Sequence, residues 1–286
     1  MSEMRVRRVM LPMLVAMLLP WPAWAASDAD LAALLASPVR TDDDRKADAG
    51  RQPLGLLRFA QVEPGMSVLD VSAGGGYTAQ LMALAVGPAG NVWAQVEQRR
   101  TVLDRRLAAH PQPQLAVLVR PFEDLFPADA PRVDLVTLVL SYHDIAYAPV
   151  DRAKLNAAMF AALKPGGRLV LVDHAAKPGT GVADAKRLHR IDEQLVRQEI
   201  EAAGFVLEAD GDFLRNPADP REQAFFDMKQ PADRFALRFV RPLAYQPSEP
   251  PPSEPPPPPP PPLSQSPPEP KSTERLDSSS AAPLSK

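Results

Sequence analysis

From residue 26 to residue 245 the spacing of hydrophobic positions switches repeatedly between helical and strand periods. "SDADLAALLASP" (27–38) opens with a helix cap and has helical spacing, and "DDDRKADAGRQPLGLLRFAQV" (42–62) turns from polar to amphipathic, so both predict helices. "SVLDVSA" (67–73) predicts a buried strand running into glycines, and "YTAQLMALAVG" (77–87) a helix closed by Gly87. Next come a strand at 91–97, a helix at 99–110, a strand at 115–120 and a long apolar strand, "VDLVTLVLSYHD" (133–144), that ends in polar groups. A helix with a glycine stop (149–167) leads to a strand at 168–174, and one long helix spans 184–205. The last two strands, 206–213 and 234–242, are separated by "NPADPREQAFFDMKQPAD", which is rich in helix breakers.

Strands alternating with helices imply parallel strands joined by crossovers, with helices on both sheet faces. The near-continuous apolar character of the strands agrees, because strands in such a sheet are buried on both sides. The expected fold is α/β: a Rossmann-like, doubly wound, seven-stranded sheet, mostly parallel, with an antiparallel end strand where no helix separates the last two strands.

Composition changes the picture at both ends. Arg5, Arg7 and Arg8 precede the apolar stretch Val9 to Leu19, and "AWA" ends at Ala25. This reads as a signal peptide over 1–25 with an Ala-x-Ala cleavage site; the apolar stretch is shorter than the ~20 residues that a membrane span needs. The expected product is an exported chain, periplasmic or secreted, with no stable membrane span after cleavage. The 286 residues contain no cysteine, which excludes a disulfide framework. From 246 to 286 proline dominates, large apolar side chains are scarce, and the segment predicts a disordered spacer whose first half is polyproline II; its sharper reading is a docking peptide for an envelope partner. Net charge is −3 with no basic run beyond the start, which argues against nonspecific nucleic-acid binding.

The candidate chemistry starts at "VLDVSAGGGYTAQL" (68–81). Three glycines after an inner strand expose backbone amides where ligands of open parallel sheets bind, and the following helix adds its positive end. The spacing departs from the dinucleotide fingerprint, because position 79 is Ala, and it has instead an acid at the end of the strand. Asp70, Ser72, Gly74 and Gly76 resemble motif I of the class I S-adenosylmethionine-dependent methyltransferases, Asp/Glu-x-Gly-x-Gly-x-Gly, with Ser72 in place of the first glycine. "PGMSVLDV", "LKPGGRLVLVD" and "VDLVTLVLSYHD" resemble further phrases of that superfamily. "AGGGYT", "SYHD", "LHRID", "AAGF" and "DRFALRFVRP" together are similar to a group of predicted methyltransferases that carry export signals.

The resemblance implies S-adenosylmethionine as cofactor and a small-molecule acceptor. It implies that Asp70, Ser72, Gly74, Gly75, Gly76 and Tyr77 build the cofactor turn. Glu97, one residue beyond Val96 at the usual place for a ribose-binding acid, takes that role. Glu123 or Asp124 stands in for an acid after the third strand, where Pro121 occupies the nearest equivalent. Ser141, Tyr142, His143 and Asp144 end the fourth strand beside the acceptor, with His143 as general base, Asp144 or Asp173 orienting it and Tyr142 flanking the methyl group. Arg45 and Arg51 are placed to clamp a carboxylate. Asp144, Asp173, His143 and His174 are also a set that can hold a divalent metal, but no ligand spacing along the chain supports one, and none is assigned. The second reading is a catalytically silent binding or scaffold protein of the same fold in the cell envelope.

If the leader is cleaved as read, the chain recovered from an exporting cell begins at Ala26. Amino-terminal sequencing checks this, and an uncleaved Met1 contradicts it.

Overall fold

The computed structural model describes residues 28–244, so the expected leader and proline-rich tail lie outside the described residues. The chain divides into two units, one ending at Pro247 and one running from Ser248 to Lys286; every described residue belongs to the first.

Three helices come first: α1 (Asp28–Leu35), α2 (Asp42–Arg51) and α3 (Pro53–Ala60). Thr41 and Asp44 form a capping box at the start of α2, each side chain meeting the other's backbone N–H. Gln52, at φ +47, separates α2 from α3, because Pro53 lacks the N–H needed to continue the first helix and suits the start of the second.

There follow β1 (Ser67–Val71), α4 (Tyr77–Val86), β2 (Asn91–Val96), α5 (Thr101–Ala109), β3 (Leu115–Val119) and β4 (Val133–Val139). Then come α6 (Tyr142–Tyr147), α7 (Arg152–Ala162), β5 (Leu163–His174), α8 (Ala185–Leu188), α9 (Glu193–Ala202), β6 (Val206–Gly211) and β7 (Arg234–Val240). The seven strands form one sheet in the order β3-β2-β1-β4-β5-β7-β6. The first five are parallel, and β7 inserts between β5 and β6, antiparallel to both. The order reverses at β1/β4, the switch point where open α/β sheets bind ligands.

Alternate strand residues feed two cores, as the two-residue side-chain period requires. Leu69, Val136, Leu169 and Leu237 pack with Leu155 and Met159 of α7 and with Val196 and Ile200 of α9. Their neighbours Val68, Leu135, Val170 and Ala236 pack on the other face with Leu57 of α3, Leu81 and Met82 of α4, and Leu103 of α5.

Three expected elements end differently. Strand β4 stops at Val139; Leu140 turns at φ +59, and "YHD" begins α6 rather than prolonging the strand. The carboxylate of Asp173 accepts the backbone N–H of His143 at 2.8 Å, giving that first helical turn a donor partner that a strand would not supply. Strand β5 starts at Leu163, five positions before the expected Arg168, because Leu163 already pairs with Val133. The expected long helix over 184–205 is broken at His189, which sits at φ +51. There Ile191 bridges to Ala175, Ile191 N–H donates to the His174 carbonyl at 2.9 Å, and Asp192 recaps α9 through Gln194 N–H. Long-range backbone pairing therefore overrides a helical period that runs unbroken in the sequence.

The segment between β6 and β7 contains only the short turn Phe225–Asp227. It is held by Arg190, whose fully buried guanidinium pairs with Asp219 at 2.9 Å and donates to the carbonyls of Gln223 and Ala175. Asp219→Ala strands a buried cation and should cost about 3–5 kcal/mol. Urea unfolding measures it, and a loss below about 1 kcal/mol contradicts this anchoring.

Candidate active site

At the end of β1 the chain enters the glycine turn. Ser72 adopts φ +56, Gly74 φ +57 and Gly76 φ +84. The motif's first glycine position therefore does take a left-handed backbone, and Ser72 fills it at a conformational cost that glycine would not incur. The turn is fastened by Gln95 of β2, a fully buried amide. Its Oε1 accepts Ser72 N–H at 2.9 Å, its Nε2 donates to the Arg120 carbonyl at 2.7 Å, and its backbone carbonyl accepts Ala73 N–H at 2.9 Å. Gly76 N–H closes the loop onto the Ala73 carbonyl at 2.8 Å.

The two faces of the turn differ. A Cβ on Gly76 would lie 2.6 Å from Leu103 Cδ1, so that residue is small because α5 packs against it. A Cβ on Gly74 would meet nothing nearer than the Ser72 carbonyl at 3.9 Å, and Ser72 to Gly75 are partly exposed. The outer face is thus bare backbone, open to a ligand.

Asp70 lies beneath this turn, 2% exposed. Thr137 of β4 donates its hydroxyl to Oδ1 at 2.6 Å, while Oδ2 has no partner among the described residues. Burial pushes the carboxyl up to about 7, against the opposing effect of the Thr137 hydroxyl.

Helix α2 is tied across the turn. Arg106 of α5 grips Asp44 through two bonds of 2.7 Å and also donates to Gln80. The Tyr77 hydroxyl donates to Asp48 at 2.6 Å, and Arg40 makes a bidentate pair with the same carboxylate. Tyr77 is therefore engaged with α2 through its hydroxyl, and the Arg51 guanidinium covers its ring at 4.6 Å. Arg45 bonds the carbonyls of Arg40 and Ser37, so it holds the leading loop rather than the site. Arg51 makes no hydrogen bond or ion pair among the described residues and borders the cavity described next.

That cavity, of about 510 Å³, lies beyond the ends of β4 and β5. Its wall combines Arg51 and Arg234, the side chains of His143, Asp144, His174 and His189, and the aromatic rings of Phe225 and Phe226. A separate small void bounded by Tyr77, Val139 and Val172 shares Arg51, Leu140 and Arg234 with it, on the side of the start of α4.

His143 is buried between two acids. Its Nδ1 lies 2.5 Å from Asp173 and its Nε2 lies 3.2 Å from Asp144. Burial disfavours the charged ring, but Asp173 and Asp144 outweigh it and lift the imidazole to about 9. His143 is thus protonated at neutral pH and is not the poised base expected from an unperturbed imidazole. Asp144, half exposed, is held at about 2: burial works against its charge, and the bond to His143 prevails. His189 also reaches Asp144, at 3.0 Å. His174 is neutral, lowered to about 2 by burial and then by the neighbouring Arg234, and it stacks on Phe225 with ring centres 4.0 Å apart.

Other expected residues go elsewhere. Tyr142 points away from the cavity: its fully buried ring sits in the α7/α9 core, and its hydroxyl donates to Glu199 at 2.6 Å. Its ring is not part of the cavity wall, contrary to the expected place beside the acceptor, because a helix start and a strand end direct position 142 to opposite sides. Glu123 accepts Asp151 N–H at 3.2 Å, Asp124 pairs with Arg120, and both line a separate cavity against α7. Ser141 is half-buried beside its own strand, its hydroxyl 3.4 Å from the Val139 carbonyl. Glu97 is exposed just past β2, with no partner among the described residues. Gln95 and His189 join the site without having been singled out by the sequence pattern; a lone amide inside an apolar strand is the signal that marks the first.

Residues 69–171 match a family described as a methyltransferase domain. Among solved structures, a S-adenosylmethionine-dependent methyltransferase from Aquifex aeolicus is similar at TM-score 0.52 and 17% identity, covering 74% of this chain and 98% of its own. The protein bound to the Trm112 methyltransferase activator of Haloferax volcanii is similar at TM-score 0.54 and 18% identity, covering 71% and 95%. A Bacillus halodurans protein classed as a methyltransferase gives TM-score 0.50 and 21% identity, covering 68% and 100%. No curated protein matches the chain. The chain thus shares the fold of these methyltransferases, and residues 69–171 carry the match to the methyltransferase domain.

The buried Asp70 makes a testable sign. Unfolded, the group titrates near 3.9, so folding becomes costlier as pH rises from about 4 to about 7, by roughly 4 kcal/mol in all. Asp70→Asn removes that cost. It should be more stable than the wild type at pH 8, by about 2–4 kcal/mol, with the difference vanishing near pH 4; urea unfolding at both values checks it.

Proposed function

We propose that this chain is an exported S-adenosylmethionine-dependent methyltransferase whose acceptor is a small molecule. The observation that carries the reading is the open backbone at Gly74, above a buried acid and beside a 510 Å³ cavity lined by titratable groups. The residues present fit the cofactor: the turn offers bare amides, and Glu97 is an exposed, unpartnered acid at the end of the next strand, suited to a pair of ribose hydroxyls. The bound cofactor supplies an electrophilic methyl group.

The chain's own task is to hold an acceptor in line with that group, which by positioning alone accounts for much of the rate in such displacements. The cavity is of a size for a small molecule rather than a macromolecule. Arg51 and Arg234 supply positive charge on one wall, and Phe225 and Phe226 supply apolar surface, which together suit an acceptor with an anionic end and an apolar body. The charged, doubly held His143 does not take up a proton at neutral pH, so the groups left to face the acceptor are Asp144 and His189. Export rests on the Arg-led apolar leader and its Ala-x-Ala end.

Calorimetric titration of the full-length chain with S-adenosylmethionine should show micromolar binding. Gly74→Val, which places a branched side chain at φ +57 on the open face, should abolish it, and Glu97→Ala should weaken it about tenfold, or ~1.4 kcal/mol. Both variants are checked for folding by circular dichroism. Undetectable binding by the wild type at millimolar ligand overturns the reading.

A further inference from the structure

The geometry points to a divalent transition-metal site at His143, Asp144 and His189, inside the cavity. One candidate ligand atom from each of the three residues lies within 4.8 Å of the others. The separations along two edges of this triangle are informative. His143 Nε2 lies 3.2 Å and His189 Nδ1 3.0 Å from the same Asp144 oxygen. Ligand atoms about 2.0–2.2 Å from one zinc-like ion stand about 3.0 Å apart in an octahedral set and about 3.4 Å apart in a tetrahedral one. Both edges fall in that range.

The surroundings are built as metal sites are. A ligating imidazole is normally oriented by a carboxylate on its other nitrogen. His143 Nδ1 is held in this way by Asp173, which is wholly buried and is itself fixed by the backbone N–H groups of His143 and His174. That contact leaves Nε2 to face Asp144, and a bound ion takes the place of the proton that Nε2 carries in the ion-free protein, releasing it to solvent. On Asp144 three donors converge on a single oxygen, the third being the Tyr147 hydroxyl at 3.0 Å. His189 reaches the cluster from a left-handed backbone position, φ +51, that histidine adopts at a conformational cost and that the Asp192 cap and the Ile191 bridge impose.

Two imidazoles with one carboxylate select a zinc-, cobalt- or nickel-like ion over magnesium or calcium, which take oxygen ligands. Three protein ligands leave coordination positions open toward the cavity, as catalytic rather than structural metal sites do. Arg51 and Arg234 line the same cavity and oppose a bare cation, but Asp144 and Asp173 are the charges in direct contact with the His143 ring. On the methyltransferase reading, the open positions take a hydroxyl or thiol of the acceptor, and the guanidiniums take its anionic end.

Titration of the tag-free, chelator-stripped full-length chain with Co²⁺ tests the site by visible absorption and calorimetry. The expected result is one ion per chain at micromolar affinity or tighter, weakened at least tenfold in His189→Ala and in Asp144→Asn, with circular dichroism showing both variants folded. No saturable binding by the wild type, or equal binding by the wild type and both folded variants, overturns the proposal. Cofactor titration of the same wild-type preparation separates the two readings: cofactor binding without cobalt binding removes the metal alone.

Discussion

A carboxylate sealed in a protein interior must collect donors or lose its charge, and Asp173 shapes the site by this requirement. It stands at the end of β5 with no exposure, and it accepts the N–H of His143, the N–H of His174 and the His143 ring. Those bonds decide where β4 gives way to helix, which nitrogen of His143 faces the cavity and how the two strand ends sit side by side. The backbone N–H bonds need the chain to turn at Leu140, and the ring bond needs α6 to begin where it does. Removing one partner from such a cluster exposes the full desolvation penalty of the others, so its members act as a unit.

A second clasp works at the other side of the switch point. Asp44 and Asp48 of α2 are both acids in contact with arginines, and both are held below the usual carboxylate range: burial opposes their charge, but the hydrogen bonds from Arg106 and Arg40 prevail. Through them a helix that precedes the sheet in sequence is fixed above the glycine turn that follows β1. The lead-in helices are thereby part of the site's wall, and they bring Arg51 to the cavity.

How much was legible in the sequence follows from where the deciding forces act. Parallel strands buried on both faces read as apolar runs, so β1 to β5, the glycine turn and the break before β7 could be recognised from one chain. The glycines of the turn were legible because left-handed torsions at Gly74 and Gly76 favour glycine, and Asp70 because an acid interrupts an apolar strand just before them. His189 was not, because its helical period continues unbroken while the break comes from Ile191 bridging to Ala175, just past the end of β5. Tyr142 misled for a related reason: a one-element difference in reading, strand or helix, sends its ring to the opposite core. Gln95 has no local signature beyond its polarity, since its partners lie 23 and 25 residues away.

The insertion of β7 between β5 and β6 leaves a long connection whose one helical turn among the described residues, Phe225–Asp227, carries Phe225 and Phe226 to the cavity. Neither flanking strand depends on the length of that connection, because both are zipped by their own ladder. Within that stretch Asp219 is tied to buried Arg190, so the rings of Phe225 and Phe226 can be exchanged while the anchor that holds the stretch stays as it is. A scaffold arranged in this way can change what it accepts without relearning how to fold.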